Sequence, residues 1–282
     1  RHDPMGIPFQ NGPNWGRDVF VPLDSIIGGP TMAGQGWRML MESLAAGRSI
    51  SLPALACASA QVSVRLVGAY ATVREQFDTP IGRFEGIEEP LARIGGLTYV
   101  MNAARWLTAG AVDAGEHPVV ASAIVKAYLT DSMRTVVNDS MDIRAGAAIC
   151  RGPRNILAQM YQAVPVGITV EGANILTRSM IVYGQGAIRC HPFLQDEVAA
   201  ATTGNLPAFD KALFGHIGHV ASMTARSWWL GITDGRWIAH APPSRKTRRL
   251  YGRFTRMSAA FALVSDVSLA TLGATLKRRE KI

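Results

Sequence analysis

From Gly36 to Phe77 the chain contains no Asn or Asp, while Met39, Leu40, Leu44, Leu52, Leu55, Val62, Val64, Leu66 and Val67 recur at helical spacing. The run predicts one long helix, bent at Pro53 and stopped by the loop "FDTPIGRFEG". So long a helix cannot bury an apolar stripe by itself; it needs other helices alongside. The sequence supplies them. A second helical pattern runs from about Ile87 to Ala114, and "EHP" breaks it. A third runs from about Val119 to Arg144 and ends in the Gly-containing turn "AGAAICRGPRN". A shorter one follows from Asn155 to Gln162, and after the apolar stretch Val164–Val170 another runs from Ala173 to Tyr183. The expected fold is mainly α, an antiparallel helical bundle over residues 36–190.

The flanks differ from this centre. Residues 1–35 are rich in Pro and Gly, and Asp18-Val19-Phe20-Val21-Pro22-Leu23 alternates weakly, which predicts strand and turn, the tail of a β domain. Residues 191–282 form a further helical region, with helices expected at 191–201, 207–216, 219–238 and, after the "HAPPSRK" break, 248–278. The chain opens on Arg1 and closes on the basic "LKRREKI", so the expectation is a fragment of a longer protein. A hydrophobic content of 48% with 18% charged residues suits a substantial core.

The net charge is +8, and "SRKTRRLYGRFTR" is strongly basic with no acid. Such a run reads as a solvated linker and helix face, or as a contact for a membrane surface or an acidic partner. No helix-turn-helix signature or aromatic-interleaved RNA motif accompanies it, so no nucleic acid is expected. Met257–Leu276 lacks Lys and Arg but includes Asp266 and many Ser, Thr and Ala, which favours a helix packed within the protein over a membrane span. Three cysteines at irregular spacing predict reduced thiols and a cytoplasmic setting, with peripheral contact at the inner membrane as an added expectation.

Phosphate-loop, dinucleotide-loop, zinc-protease and serine-hydrolase motifs are absent. His216 and His219 form HxxH, but no carboxylate or Cys lies near them in the sequence, so no metal is expected. Cys190-His191-Pro192 reads as a structural loop. Asp139 and Asp142, three apart on a helix, suit a solvated face or a cofactor contact. Glu171 remains. It is the one carboxylate in "ITVEGANILTR", between an apolar segment and a helix start. An apolar setting raises the proton affinity of a carboxylate, while free amides at a helix start favour its charge. Glu171 is therefore either a general base or an exposed helix-capping residue.

The segment "TVEGANILTRSMIVYGQGAIRCHP" resembles the catalytic segment of the acyl-CoA dehydrogenases, in which a Glu-Gly pair opens the last helix of a helical domain. "NGPNWGRDVFVPLDSIIGGPTMAGQGWRML", "GIEEPLARIGG" and "FDKALFGHIGHVAS" resemble the bacterial fatty-acyl-CoA dehydrogenases that carry an extra C-terminal helical region. The resemblance implies the end of a middle β domain at 1–35, the C-terminal acyl-CoA dehydrogenase bundle at 36–190 and a truncated additional helical region at 191–282. It further implies FAD-dependent α,β-dehydrogenation of a medium- to long-chain fatty acyl-CoA, the first step of fatty acid β-oxidation, in a chain inactive without its missing domains. Glu171 matches the family's base, and Gly172 lets the backbone approach the thioester. In the family the base residue's own N–H and a flavin hydroxyl hold the thioester carbonyl.

Other roles are likewise implied by the match. Arg48, in "AAGRSISLPA", corresponds to an Arg near the substrate. Arg74 and Phe77, in "REQF", correspond to an Arg-x-x-Phe that reaches the FAD of a neighbouring subunit. Glu85 stands at the next FAD contact, and Asp142 and Gly146 occupy the family's Gln-x-x-Gly-Gly segment. The partners implied are an electron-transfer flavoprotein and further copies of the chain. The competing class is a non-catalytic helical module that uses its basic C-terminal region on a membrane surface or a partner.

Overall fold

In the computed structural model the described residues are 6–7, 12–178, 183–184, 186–238 and 244–278. They divide into two compact units, Arg1–Val182 and Tyr183–Ile282. The first is built on α1 (Gly36–Val73), α2 (Glu85–Asp113), α3 (Val119–Arg144) and α5 (Ile156–Thr169), with the single turn α4 (Gly146–Ile149) and the short α6 (Asn174–Leu176) between and after them. A two-residue hairpin, β1 (Glu75–Gln76) with β2 (Thr79–Pro80), joins α1 to α2. Its turn residues Phe77 and Asp78 both have positive φ, at 51° and 57°, the backbone sign that two-residue hairpins of this hand require.

Side chains fix the directions of the helices. Near its C-terminal end α2 meets the first half of α1, where Thr108 donates to the Ser49 carbonyl. Near its start, Arg93 pairs with Asp139 at the end of α3. The Arg144 guanidinium lies over the Tyr70 ring, which brings the end of α3 to the end of α1. Hence α1 and α3 run parallel and α2 runs against both. The core between them holds Ala56, Ala60, Val67, Ile94, Met101, Leu129, Met133, Val136, Val137, Leu157 and Val164. Gly47–Val73 of α1 is long and apolar enough to cross a membrane, yet it is the helix on which α2, α3 and α5 pack. Met257–Leu276 does not meet the same test.

Several expectations need correction. Asp18–Leu23 forms no strand; Val19, Phe20 and Val21 are exposed, and no other strand lies beside them among the described residues to complete a ladder. The first helix ends at Val73 rather than near Phe77, because the hairpin begins there. The helix expected at Asn155–Gln162 continues through Pro165 to Thr169. Pro165 forfeits one main-chain bond, but the packing of Gly167 on Met133, Thr130 and Leu55 holds this turn against α3 and α1. The helix expected at Ala173–Tyr183 is described as α6, with Thr177, Arg178, Tyr183 and Gly184 in wider π-type turns; 179–182 lie outside the described residues.

The second unit comprises α7 (Gly186–Cys190), α8 (Leu194–Thr203), α9 (Leu206–Ile232) and α10 (Arg245–Leu272), followed by a 3-10 turn at Gly273–Arg278. The two helices expected at 207–216 and 219–238 are one, since Gly218 interrupts nothing. Asn205 caps α9 by accepting from the Ala208 N–H. Most of the "HAPPSRK" break lies outside the described residues, as does the end of "LKRREKI". Cys57, Cys150 and Cys190 are free thiols.

Candidate functional site

Glu171 occupies the turn between α5 and α6, where it is one of the few residues other than Gly with positive φ, at 54°. A side chain in that conformation is strained by about 1–3 kcal/mol and persists only where its surroundings over-determine it. Two buried cations from different helices do so here. Arg48 of α1, 3% exposed, donates from Nε to the Glu171 carbonyl at 2.7 Å. Lys126 of α3, fully buried, donates from Nζ to the Gly172 carbonyl at 2.7 Å, to Asn174 Oδ1 at 2.8 Å and to the Ile168 carbonyl at 2.9 Å. Asn174 is held in turn, its Nδ2 donating to the Ala127 carbonyl and Thr130 Oγ1.

Gly172 follows at φ 93°, and a Cβ there would stand 3.0 Å from Thr177 Oγ1 and 3.4 Å from Arg48 Nη2. The Glu171 carboxylate lies against Gly47 of α1; a Cβ at position 47 would be 3.1 Å from Oε1. Glycine at both positions thus lets the turn close on α1.

The carboxylate itself has no ion pair among the described residues, and its Oε2 is buried without a hydrogen-bond partner. Burial pushes the Glu171 carboxyl above the usual carboxylate range, against the pull of Arg48 and Lys126. Burial likewise draws the Lys126 ammonium down to about 8, helped by Arg48 and opposed by Glu171 and Asp131. It also lowers Arg48, which Glu171 partly restores. Desolvation outweighs mutual attraction on all three groups. Among the described residues the main-chain N–H of Glu171 makes no hydrogen bond. A poised proton acceptor and a free N–H donor therefore sit on one pinned residue, the pair needed to take a proton beside a carbonyl and to stabilise the oxyanion that results.

The remaining expected site residues lie elsewhere. Arg74 and Phe77 are exposed at the end of α1 and in the hairpin, the latter at 89%. Glu85 is exposed at the start of α2, and Asp142 and Gly146 are exposed around the end of α3. Along α3, Lys126 and Asp142 are separated by about 24 Å of helix. One chain therefore brings Arg48, Glu171 and Gly172 together at one end of the bundle and gathers the other five at the opposite end.

Lys126, Gly47, Asn174 and Thr177 complete the turn and escaped the sequence reading. The helical period did carry one signal: Lys126 shares the stripe of Ser122, Ala123, Leu129, Thr130 and Met133, all buried.

A second polar cluster forms within the second unit. His191 Nδ1 accepts from the Phe193 and Leu194 main-chain N–H groups at the start of α8. Its Nε2 is 3.2 Å from Asp266 Oδ1 of α10, and His216 Nδ1 is 2.8 Å from Glu197 Oε1. The HxxH pair thus has two carboxylates beside it, against the sequence expectation; α8 and α10 deliver them from distant positions. Because Nδ1 of His191 is committed to main-chain donors, its ring proton belongs on Nε2, facing Asp266. That tautomer makes His191 a helix cap, while its Nε2 and both Asp266 carboxylate oxygens are buried without a hydrogen-bond partner.

The family "Acyl-CoA dehydrogenase, C-terminal domain" matches residues 34–184, more than half of the chain. The chain belongs to the acyl-CoA dehydrogenase family. A further family, "Acyl-CoA dehydrogenase, C-terminal, bacterial type", matches residues 188–282. Among curated acyl-CoA dehydrogenases, the Probable acyl-CoA dehydrogenase FadE10 of Mycobacterium tuberculosis (strain ATCC 25618 / H37Rv) is 25% identical over 182 residues, covering 61% of this chain and 27% of that protein. A short stretch of 69 residues is 55% identical to Protein HemX of Proteus mirabilis, 24% of this chain and 41% of that one. The chain therefore spans less than half the length of either relative.

Among solved structures, the acyl-CoA dehydrogenase complexed with FAD from Bacillus anthracis has a TM-score of 0.61 at 18% identity, covering 84% of this chain and 38% of that one. The acyl-CoA dehydrogenase from Geobacillus kaustophilus has a TM-score of 0.51 at 22% identity, covering 54% and 39%. These two likenesses concern the fold alone. Acyl-CoA dehydrogenases are FAD-dependent oxidoreductases. An exposed guanidinium at Arg74 and an exposed ring at Phe77 suit an anionic, aromatic ligand approached from outside. The carboxylates of Glu85 and Asp142 suit hydroxyls rather than phosphate.

Proposed function

We propose that this chain is the C-terminal part of an enzyme that oxidises a medium- to long-chain fatty acyl-CoA to the trans-2-enoyl-CoA, with Glu171 as the base that takes the α proton. We further propose that residues 1–35 are the end of a middle β domain. The observation that carries the reading is the pinned Glu171 turn: a partly buried carboxylate with an unpartnered oxygen, beside a free main-chain N–H, in a chain of this family.

In this reading the thioester carbonyl accepts from the Glu171 N–H, and the developing enolate charge is met there. The α proton passes to the Glu171 carboxylate, whose raised proton affinity strengthens it as a base. Arg48 and Lys126 keep the turn from relaxing as charge leaves the carboxylate. When bound, FAD supplies the acceptor for the hydride that departs from the β carbon. Arg74 and Phe77, with Glu85, Asp142 and Gly146 nearby, would hold FAD shared with a second copy of the chain, and an electron-transfer flavoprotein would reoxidise it.

The test uses the whole FAD-loaded enzyme. Glu171→Gln is expected to slow flavin bleaching by saturating acyl-CoA about a hundred-fold or more while FAD content stays constant. Bleaching at the unmutated rate would remove Glu171 as the base.

A further inference from the structure

We infer that Lys126 is the positioning residue of the Glu171 turn: its ammonium, through three neutral acceptors, fixes the segment whose carboxylate and N–H meet the substrate. The inference rests on the reading of Glu171 as the base.

Lys126 is fully buried, and all three of its hydrogen bonds end on one short stretch: the Ile168 carbonyl before Glu171, the Gly172 carbonyl after it and the Asn174 side chain beyond. None of these partners is charged, so the contact is not an ordinary ion pair. Holding α5 against α3 does not require it either, since Gly167 already packs on Met133 and Thr130. A buried ammonium is costly, and an apolar side chain would fill the same core position. What only the ammonium supplies is three diverging donors that clamp both sides of a residue held at positive φ. Arg48 holds the carbonyl of Glu171 itself, so together the two cations fix three carbonyls across five residues.

The expected results are specific to positioning. In the whole FAD-loaded enzyme, Lys126→Met should slow flavin reduction by saturating acyl-CoA about a hundred-fold, with FAD content and half-saturating substrate little changed. Its acid limb should move to higher pH, because a positive charge near Glu171 has gone. Lys126→Arg keeps that charge, so its acid limb should stay in place while the rate remains lowered. The limb follows the charge and the Lys126→Arg rate follows the geometry; a merely structural lysine would leave the Lys126→Arg rate unchanged. Reduction by Lys126→Met at the unmutated rate overturns the inference.

Should Lys126→Met not fold, Lys126→Arg still decides: a reduction rate equal to that of the unmutated enzyme, at constant FAD content, overturns the role. Glu171→Gln separates the two ideas. If that variant turns over normally, the base reading fails; if it is inactive while Lys126→Met is normal, only the lysine role fails.

Discussion

Glu171 meets opposite demands. Its carboxylate must stay poor in partners to remain basic, while its backbone must be held against strain. The structure divides these tasks, giving the cations Arg48 and Lys126 to the carbonyls and leaving the carboxylate against Gly47. Gly172 is the most restrictive position of the turn. At φ 93° a side chain is strained, and its Cβ would press on Thr177 Oγ1 and reach Arg48 Nη2. Gly172→Ala is expected to cost about 1–3 kcal/mol in a urea unfolding titration. Flavin reduction by the loaded enzyme should fall as well, because Arg48 would have to shift. Little of this was legible in the sequence. Glu171 stood out because it is a lone carboxylate in an apolar stretch, but spacing alone favoured the cap over the base. Lys126 was hidden for the opposite reason: a lysine in a helix is read as solvated, and only three-dimensional packing reveals that its period places it inside.

At the scale of elements, α3 was read to the residue, Val119 to Arg144, because Pro118 and Gly146 flank a clear period. Element α5 was read too short. Pro165 signals an end locally, and tertiary packing against α3 overrules it. The strand expected at Asp18–Leu23 fails from the same cause with the sign reversed: alternation is a local signal, while a strand needs a neighbour. The start of α5 is where a single side chain matters most. Asn155 accepts from the Ala158 N–H and donates to the Ala148 and Cys150 carbonyls, joining α4 to the N-terminus of α5. Asn155→Ala should destabilise the fold by about 1–2 kcal/mol, visible as a lower thermal midpoint. The same substitution loosens the helix whose far end carries Glu171.

At the scale of the whole molecule, chain order and spatial order part company. His191, Glu197, His216 and Asp266 are scattered in the sequence, yet three helices of the second unit bring them together. No reading by spacing could pair an HxxH on α9 with a carboxylate on α10. In the first unit the parallel course of α1 and α3 has the reverse effect. It sends Arg48 and Lys126 to one end while Arg74, Phe77 and Asp142 go to the other. If FAD is shared between two copies as proposed, each reaction centre draws its residues from both, and the unit of function is a pair. Two disabled proteins should then repair each other. Homo-oligomers of Glu171→Gln and of Arg74→Glu are each expected to be inactive. Refolding them together in equal amounts should restore about a quarter of the unmutated rate, since half of randomly assembled pairs carry both lesions at one centre and none at the other. The same mixture made without subunit exchange should stay inactive.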